Sequence, residues 1–467
     1  MSFRLIAPAF VLPLDPGFRP AALANRAFRQ AVEGSGDGVP LVIGLERDEG
    51  ARSRFETQVF PEGHPLAAAN LPYVERLVKF LLWQRGGWQV TVGGPASAGE
   101  HIRRTYAPDG ARAFDYHFMG EQVYRRPFTV VACTADQAPP AHEPERPLGR
   151  HLDGCRVGFD LGASDLKVSA VVDGQAVFSQ EIIWEPRDQA DPDYHYRYIR
   201  HGLHLAASKL PRLDAIGGSS AGIIINNRPM VASLFRGIPA ERFDEVRGMF
   251  LRLRDEFGVP LEVINDGEVT ALAGSMSLGV NGILGTAFGS SQAGGYVTPQ
   301  GNLTDWLNEL AFAPVDYNPD APVDEWSGDR GVGALYFSQQ CVFRLAPAAG
   351  ITIPVGLTPA TRLEFVQERL AAGHEGAVKI WQSIGICLGY ALAHYADFYD
   401  LRYVLIMGRV TSGPGGPLIV EGARRVLSTE FPELARRIEV QLPDEKSRRV
   451  GQSIAAASLP EVGGIER

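Results

Sequence analysis

The sequence predicts an α/β protein whose larger part follows a smaller α+β region, and three observations carry that expectation. From Arg156 onward, short apolar runs of strand length alternate with segments of helical spacing, the order expected where helices cover a largely parallel sheet. Residues 135–154 bring Pro139, Pro140, Pro144 and Pro147 together among charges, a composition that suits an extended linker and marks a boundary. The length, 467 residues, allows roughly three folding units at about 150 residues each.

Along residues 1–134, strand-like runs at 39–45 (VPLVIGL) and 88–92 (WQVTV) flank a helical segment near 72–84, which predicts a small α+β domain whose role the residues do not reveal. Trp83 and Trp88, near Arg103, Arg104, Arg125 and Arg126, read as core aromatics with a solvated rim. Neither a recognition helix nor an aromatic RNA-binding motif accompanies them. After the linker, 156–160 (RVGFD), 166–172 (LKVSAVV) and 176–184 (AVFSQEIIW) read as three antiparallel strands, with Asp173-Gly174 as a type I′ turn. A helix near 195–210, strands at 214–217 and 223–226, a helix near 240–257 and the strand LEVIN (261–265) follow. Residues 376–399 have apolar positions at helical spacing and a small pair, Gly385 and Gly389, that admits a close helix neighbour. Lys379, His394 and Asp397 argue against a membrane span there. YVLIM (403–407) is a buried strand running into Gly408, followed by a helix near 416–428, a strand at 438–442 and a last helix near 447–457.

Composition narrows the function classes. The balance of 45 basic against 54 acidic residues, a net of −9, disfavours non-specific binding to nucleic acid or anionic membranes and favours a small-molecule partner. The four cysteines lie far apart with no C-x-x-C, so neither a disulfide framework nor a thiolate metal site is expected. MSFRLIAPAF lacks the parts of a secretory leader, and a reducing cytoplasm is the expected location. No P-loop occurs, because no lysine follows a glycine. Gly218–Gly222 matches G-x-S-x-G, but a nucleophile elbow needs a helix next, and the following run, 223–226, is strand-like. His201 and His204 share a helix face without a third ligand and read as solvated.

Three glycine-rich turns and one carboxylate make a stronger constellation. In Asp160-Leu161-Gly162-Ala163-Ser164, small residues let backbone N–H groups approach phosphate oxygens, while Asp160 suits a hydrated Mg2+ and Lys167 offsets phosphate charge. Taken alone, an ordinary hairpin turn reads the same way. Gly289-Ser290-Ser291-Gln292-Ala293-Gly294-Gly295 suits an anion cradle. Gly408-Arg409-Val410-Thr411-Ser412-Gly413 follows a buried strand, where ligands meet strand ends and helix N-termini. Asp266, at the junction of LEVIN with a helix, is either a cap residue or a base facing the phosphate turns.

The order and separation of Asp160-Leu-Gly-Ala-Ser, Ser219-Ser-Ala-Gly222, Asn265-Asp266, Gly289–Gly295 and Met407-Gly408 resemble those of the ROK (repressor, open reading frame, kinase) sugar kinases, within the actin/hexokinase/Hsp70-like ATPases. The likeness runs from about Arg156 to GQSIAAASLP, roughly two-thirds of the chain. It implies two ribonuclease-H-like lobes, 155–263 with the C-terminal residues 447–467 and 264–446, closing on ATP, Mg2+ and a sugar or polyol, with no nucleic-acid or membrane partner and room for a homodimer. By likeness, Asp160, Gly162, Ala163, Ser164, Lys167, Gly289, Ser290, Ser291, Gly294, Gly408 and Arg409 hold the nucleotide and its metal. Asn265, Glu309, Ser220 and Gly222 meet the substrate, and Asp266 is the general base. The departures are specific. Phe312 stands where the family has a histidine, the zinc motif reads Glu325–Ala334 with every ligand replaced, so no zinc is expected, and Val231–Arg236 replaces a sugar-contacting proline-asparagine. The other class consistent with the likeness is a non-catalytic sugar or nucleotide sensor.

Overall fold

The computed structural model describes residues 6–143, 148–443 and 451–462. Strands β1 (Val39–Glu46), β2 (Arg52–Val59), β3 (Gln89–Gly93) and β4 (Thr129–Cys133) form a sheet of order β2-β1-β3-β4, antiparallel except where β3 runs parallel to β4. A continuous apolar run explains β1: Leu41, Ile43 and Leu45 on one face and Val42 on the other are all buried. The expected helix spans Asn70–Arg85, with Leu77, Phe80, Leu81 and Trp83 buried along it. Trp83 is fully buried, as expected of a core aromatic, whereas Trp88, with the Arg126 guanidinium 5.3 Å from its ring, is only partly buried. Within the linker, Ala135–Gln137 is a short helical turn and His142 bridges to Arg52; residues 144–147 lie outside the described residues.

The antiparallel trio is β5 (Cys155–Leu161), β6 (Asp165–Val172) and β7 (Gln175–Ile183), with positive φ at Asp173 and Gly174 as a type I′ turn requires. Next come β8 (Ala215–Ser220), the small hairpin β9 (Ile223–Ile225) and β10 (Arg228–Val231), and β11 (Leu261–Asn265). The sheet order is β11-β8-β5-β6-β7, with β11, β8 and β5 parallel. The helix Pro192–Ala207 covers it through Tyr196, Ile199 and Leu203. The helix expected near 240–257 is broken into pieces, Phe243–Arg247 and Met249–Phe257, at Gly248, a poor helix former because of its backbone freedom. Strands β12 (Ile283–Phe288), β13 (Gln292–Val297), β14 (Tyr403–Met407) and β15 (Glu439–Gln441) form a further four-stranded sheet, ordered β13-β12-β14-β15.

Two compact units result. One is drawn from Met1–Pro144, Thr286–Ala293 and Trp306–Leu442, the other from Glu145–Gly285, Gly294–Asp305 and Pro443–Arg467. The N-terminal region thus shares a unit with much of the chain's C-terminal half. In that unit the helix Glu375–Tyr395, the one helix among the described residues long and apolar enough to cross a membrane, is buried. Its Gly385 and Gly389 admit the helix Gly415–Glu430: a Cβ at Gly385 would stand 2.8 Å from the Ile419 carbonyl oxygen, and one at Gly389 2.5 Å from the Val426 Cβ.

The second unit has a matching device. Gly158 on β5 and Gly217 on β8 are register partners, and a Cβ on either would strike the backbone carbonyl of Ser453 or Ala456 in the helix Gln452–Ala457. Two adjacent glycines therefore make the flat seat for this helix. The buried Arg156 guanidinium holds the chain beyond it, donating to the Pro460 carbonyl at 2.7 Å. Gly217→Ala is expected to lift the helix and destabilise this unit by about 1–3 kcal/mol, as inserted methyls do in packed cores. Denaturant unfolding with an unchanged midpoint would refute this seat.

Candidate functional site

In the second unit, three parallel strands deliver polar residues to one line. Register aligns Asp160 with Ser219, and Leu161 with Ser220 and Asn265, so the carboxyl ends of β5, β8 and β11 lie side by side. Carboxyl ends of parallel strands are where open α/β sheets bind ligands. Asn265 caps the helix Asp266–Leu278: its Oδ1 accepts the Gly267 N–H at 2.7 Å, and its Nδ2 donates to the Gly222 carbonyl at 2.8 Å. The cap is therefore Asn265, and Asp266 is the first helical residue. Its carboxylate accepts the Gly267 N–H at 2.9 Å, yet burial pushes it above the usual carboxylate range. Gly222 turns the chain with φ 100°, and a Cβ there would stand 2.7 Å from Ala232.

Asp160 is raised to about 6, first by burial and then by the Asp266 charge, with opposing contributions from a hydrogen bond to Ser219 and from Lys167. The Asp266 charge thus helps hold Asp160 toward neutrality. Lys167 pairs with Asp165 at 3.0 Å, so part of its charge is already answered. The turn Gly162–Ser164 leaves Ala163 and Ser164 exposed and is pinned by the Trp184 indole, which donates to the Gly162 carbonyl at 2.9 Å. One residue not singled out in the sequence joins the site: Gln452 Nε2 reaches Ser219 Oγ at 3.2 Å and the Asp266 carbonyl at 3.3 Å. A glutamine on a C-terminal helix carries no motif that would have flagged it.

The glycine run after β12 divides by role. Gly294 and Gly295, in β13, press against the start of the Asp266 helix. A Cβ at Gly267 would strike the Gly294 carbonyl, and one at Gly295 would stand 2.5 Å from the Glu268 nitrogen. They let this strand approach the helix N-terminus. In the first unit, Gly289, Ser290 and Ser291 form the partly exposed hairpin turn, closed by the Gly289 N–H on the Ser291 carbonyl at 3.0 Å. Gly408 lies beside it: φ is 96°, and a Cβ there would be 2.5 Å from the Phe288 carbonyl oxygen. Arg409 is exposed, and its carbonyl takes the Gln367 amide at 2.7 Å.

Glu309, also in the first unit, opens the turn Leu310–Phe312. Backbone bonds from Asn308 N–H to the Gln84 carbonyl (2.8 Å) and from Glu309 N–H to the Trp83 carbonyl (3.0 Å) fix this segment on the helix Asn70–Arg85. The stretch Glu325–Ala334 is held on the same helix. Asp329 lies 3.3 Å from Arg76, 2.5 Å from Arg112 and 3.7 Å from Lys79, and Trp326 packs against Phe114, Phe118 and Phe312. The N-terminal region thus seats both segments.

Other expectations resolve simply. β8 runs through Ala221-Gly222 into β9, so Gly218–Gly222 forms no strand-to-helix elbow. His374 caps a helix, and burial lowers His394 to about 3, which keeps it neutral. His201 and His204 are exposed. In Val231–Arg236, Leu234 and Phe235 are core residues.

No protein-family model and no curated protein sequence matches this chain. Among solved structures it is similar to a ROK family transcriptional regulator described as a homolog of the E. coli MLC protein, at 16% identity, covering 66% of this chain and 78% of that one with a TM-score of 0.51. It is also similar to the ROK hexokinase from Thermus thermophilus, at 16% identity, covering 65% of this chain and 97% of that one with a TM-score of 0.50. At these identities the likeness shows the fold, the two-lobe actin/hexokinase-like fold of ROK proteins.

Proposed function

We propose that this chain is an ATP- and Mg2+-dependent kinase of a sugar or sugar-like alcohol, with Asp266 as the general base. The observation that supports it most is the row of Asp160, Ser219, Ser220, Asn265 and Asp266 at the carboxyl ends of three parallel strands. Asp160 suits a hydrated magnesium ion: a carboxylate with a neighbouring hydroxyl beside an exposed small-residue turn is the hard oxygen donor set such an ion takes. Magnesium–ATP, when bound, supplies the phosphoryl group and screens its charge. Asp266 then accepts the proton of the acceptor hydroxyl as its oxygen bonds phosphorus and ADP departs. A carboxylate raised by burial is a better base near neutral pH than an ordinary one. Asn265 is oriented by two hydrogen bonds to hold a neighbouring hydroxyl. With Val231–Arg236 in place of the family's sugar-contacting proline-asparagine, the acceptor is expected to differ from the usual hexoses.

The test is acceptor-stimulated ADP formation across a panel of sugars, polyols and amino sugars. A similar fold in a transcriptional regulator supports one other reading, a ligand sensor without turnover. ATP binding with no acceptor-stimulated hydrolysis would select that reading.

A pH dependence follows. The folded Asp160 carboxyl keeps its proton up to about 6 whereas an ordinary one loses it near 3.8, so its stabilising share of folding is present at low pH and is lost as pH rises through 6. Metal binding runs the other way, since only the carboxylate binds. Magnesium–nucleotide affinity is expected to fall as pH drops from 7 to 5, and Asp160→Asn should be weak and flat over that range. Isothermal titration at each pH checks this, and a pH-independent wild type would remove Asp160 from the metal's surroundings.

A further inference from the structure

The first unit contains a cavity of about 720 Å3 in which none of the residues assigned above to nucleotide or acceptor takes part. Its wall comes from the N-terminal stretch and the helix Ala21–Ser35, the helix Asn70–Arg85, residues 111–112 and residues 316–330. One side is apolar, built on Phe18, Leu23 and the stacked rings of Phe28 and Tyr73, whose centroids are 3.9 Å apart. The size and the apolar lining suit a drug-sized organic molecule.

The charges at the wall are unequal. Arg76 and Arg112 are answered by Glu75 and Asp329. Asp316 accepts from the Arg19 N–H, the Asn318 N–H and the Tyr336 hydroxyl at 2.6–2.9 Å. Arg19 and Arg330, both exposed, line the same cavity; the Arg330 guanidinium donates to the Ala321 carbonyl at 3.1 Å, and among the described residues neither side chain pairs with a carboxylate. Two cations without a carboxylate partner among the described residues thus share a cavity with an aromatic wall. We infer that this cavity binds a small amphipathic anion, with an aromatic or branched aliphatic body against Phe18, Leu23, Phe28 and Tyr73 and a carboxylate, sulfonate or phosphate head at Arg19 and Arg330. Such a ligand bridges the N-terminal helices to the 316–330 segment, which would couple occupancy to that segment's order.

The probe is 8-anilinonaphthalene-1-sulfonate, titrated by fluorescence and calorimetry against the full chain. One saturable site is expected, with the sulfonate-free N-phenyl-1-naphthylamine binding at least tenfold more weakly. Arg19→Glu combined with Arg330→Glu, both exposed positions, should weaken the sulfonate at least tenfold and leave the neutral probe unchanged. Ala24→Trp, which fills the cavity from its helix, should abolish both, with circular dichroism confirming the fold; the charge pair and the neutral probe decide the matter if it does not fold. Saturating magnesium–ATP should leave the probe in place. Absence of saturable binding, displacement by ATP, or indifference to the double charge reversal would each overturn the assignment.

Discussion

Asp266→Asn is expected to lower acceptor-dependent ATP turnover by about 10²- to 10⁴-fold, the usual contribution of a positioned base, while nucleotide affinity stays within about twofold. Asparagine retains the size and a carbonyl oxygen able to accept the Gly267 N–H that Asp266 now takes at 2.9 Å, so the helix start is preserved. The capping bond belongs to Asn265 and is untouched. Asparagine cannot accept the acceptor's proton, and it also removes the charge that helps raise Asp160. The nucleotide-facing groups proposed here, Asp160 and the turn after it, stand on a different strand. A coupled ADP assay and a nucleotide titration on the same preparation separate the two effects. Unchanged turnover would remove Asp266 from the chemistry, whereas loss of nucleotide binding would make its role structural.

Legibility followed the range of the forces involved. β11 and β14 were read to the residue because an apolar run bounded by turn chemistry is a local signal. The Gly385 and Gly389 contact was also local, since four-residue spacing puts both on one helix face. The second-unit row at Asp160, Ser219 and Asn265 was legible as spacing, and parallel register supplied the alignment that spacing lacks. What stayed hidden depends on distant partners. Gln452 meets Ser219 across 233 residues, and Asp329 meets Arg76 across 253. Neither pairing leaves a periodicity in one sequence. The helix expected without interruption near 240–257 fails at Gly248, where a local backbone preference outweighed a sound apolar pattern.

The seat that the N-terminal region provides predicts the largest stability effect. Lys79 is fully buried, and its ammonium lies 2.6 Å from Asp115 Oδ1, which also accepts the Trp83 indole N–H at 2.7 Å. Burial raises the Asp115 carboxyl, and the Lys79 charge and its hydrogen bond pull it back down. Removing one partner leaves a buried charge poorly answered, which costs about 3–5 kcal/mol, whereas replacing both by apolar groups is often neutral. Asp115→Leu is therefore expected to destabilise the first unit by about 3–5 kcal/mol, and Lys79→Met combined with Asp115→Leu to recover most of that loss. Recovery should be incomplete, because the Trp83 N–H loses its acceptor and Asp329 loses a cation 3.7 Å away. Denaturant unfolding of the two single variants and the double variant, followed by tryptophan fluorescence, closes the cycle. Equal loss in the single and double variants would mean that the pair does not act as a unit.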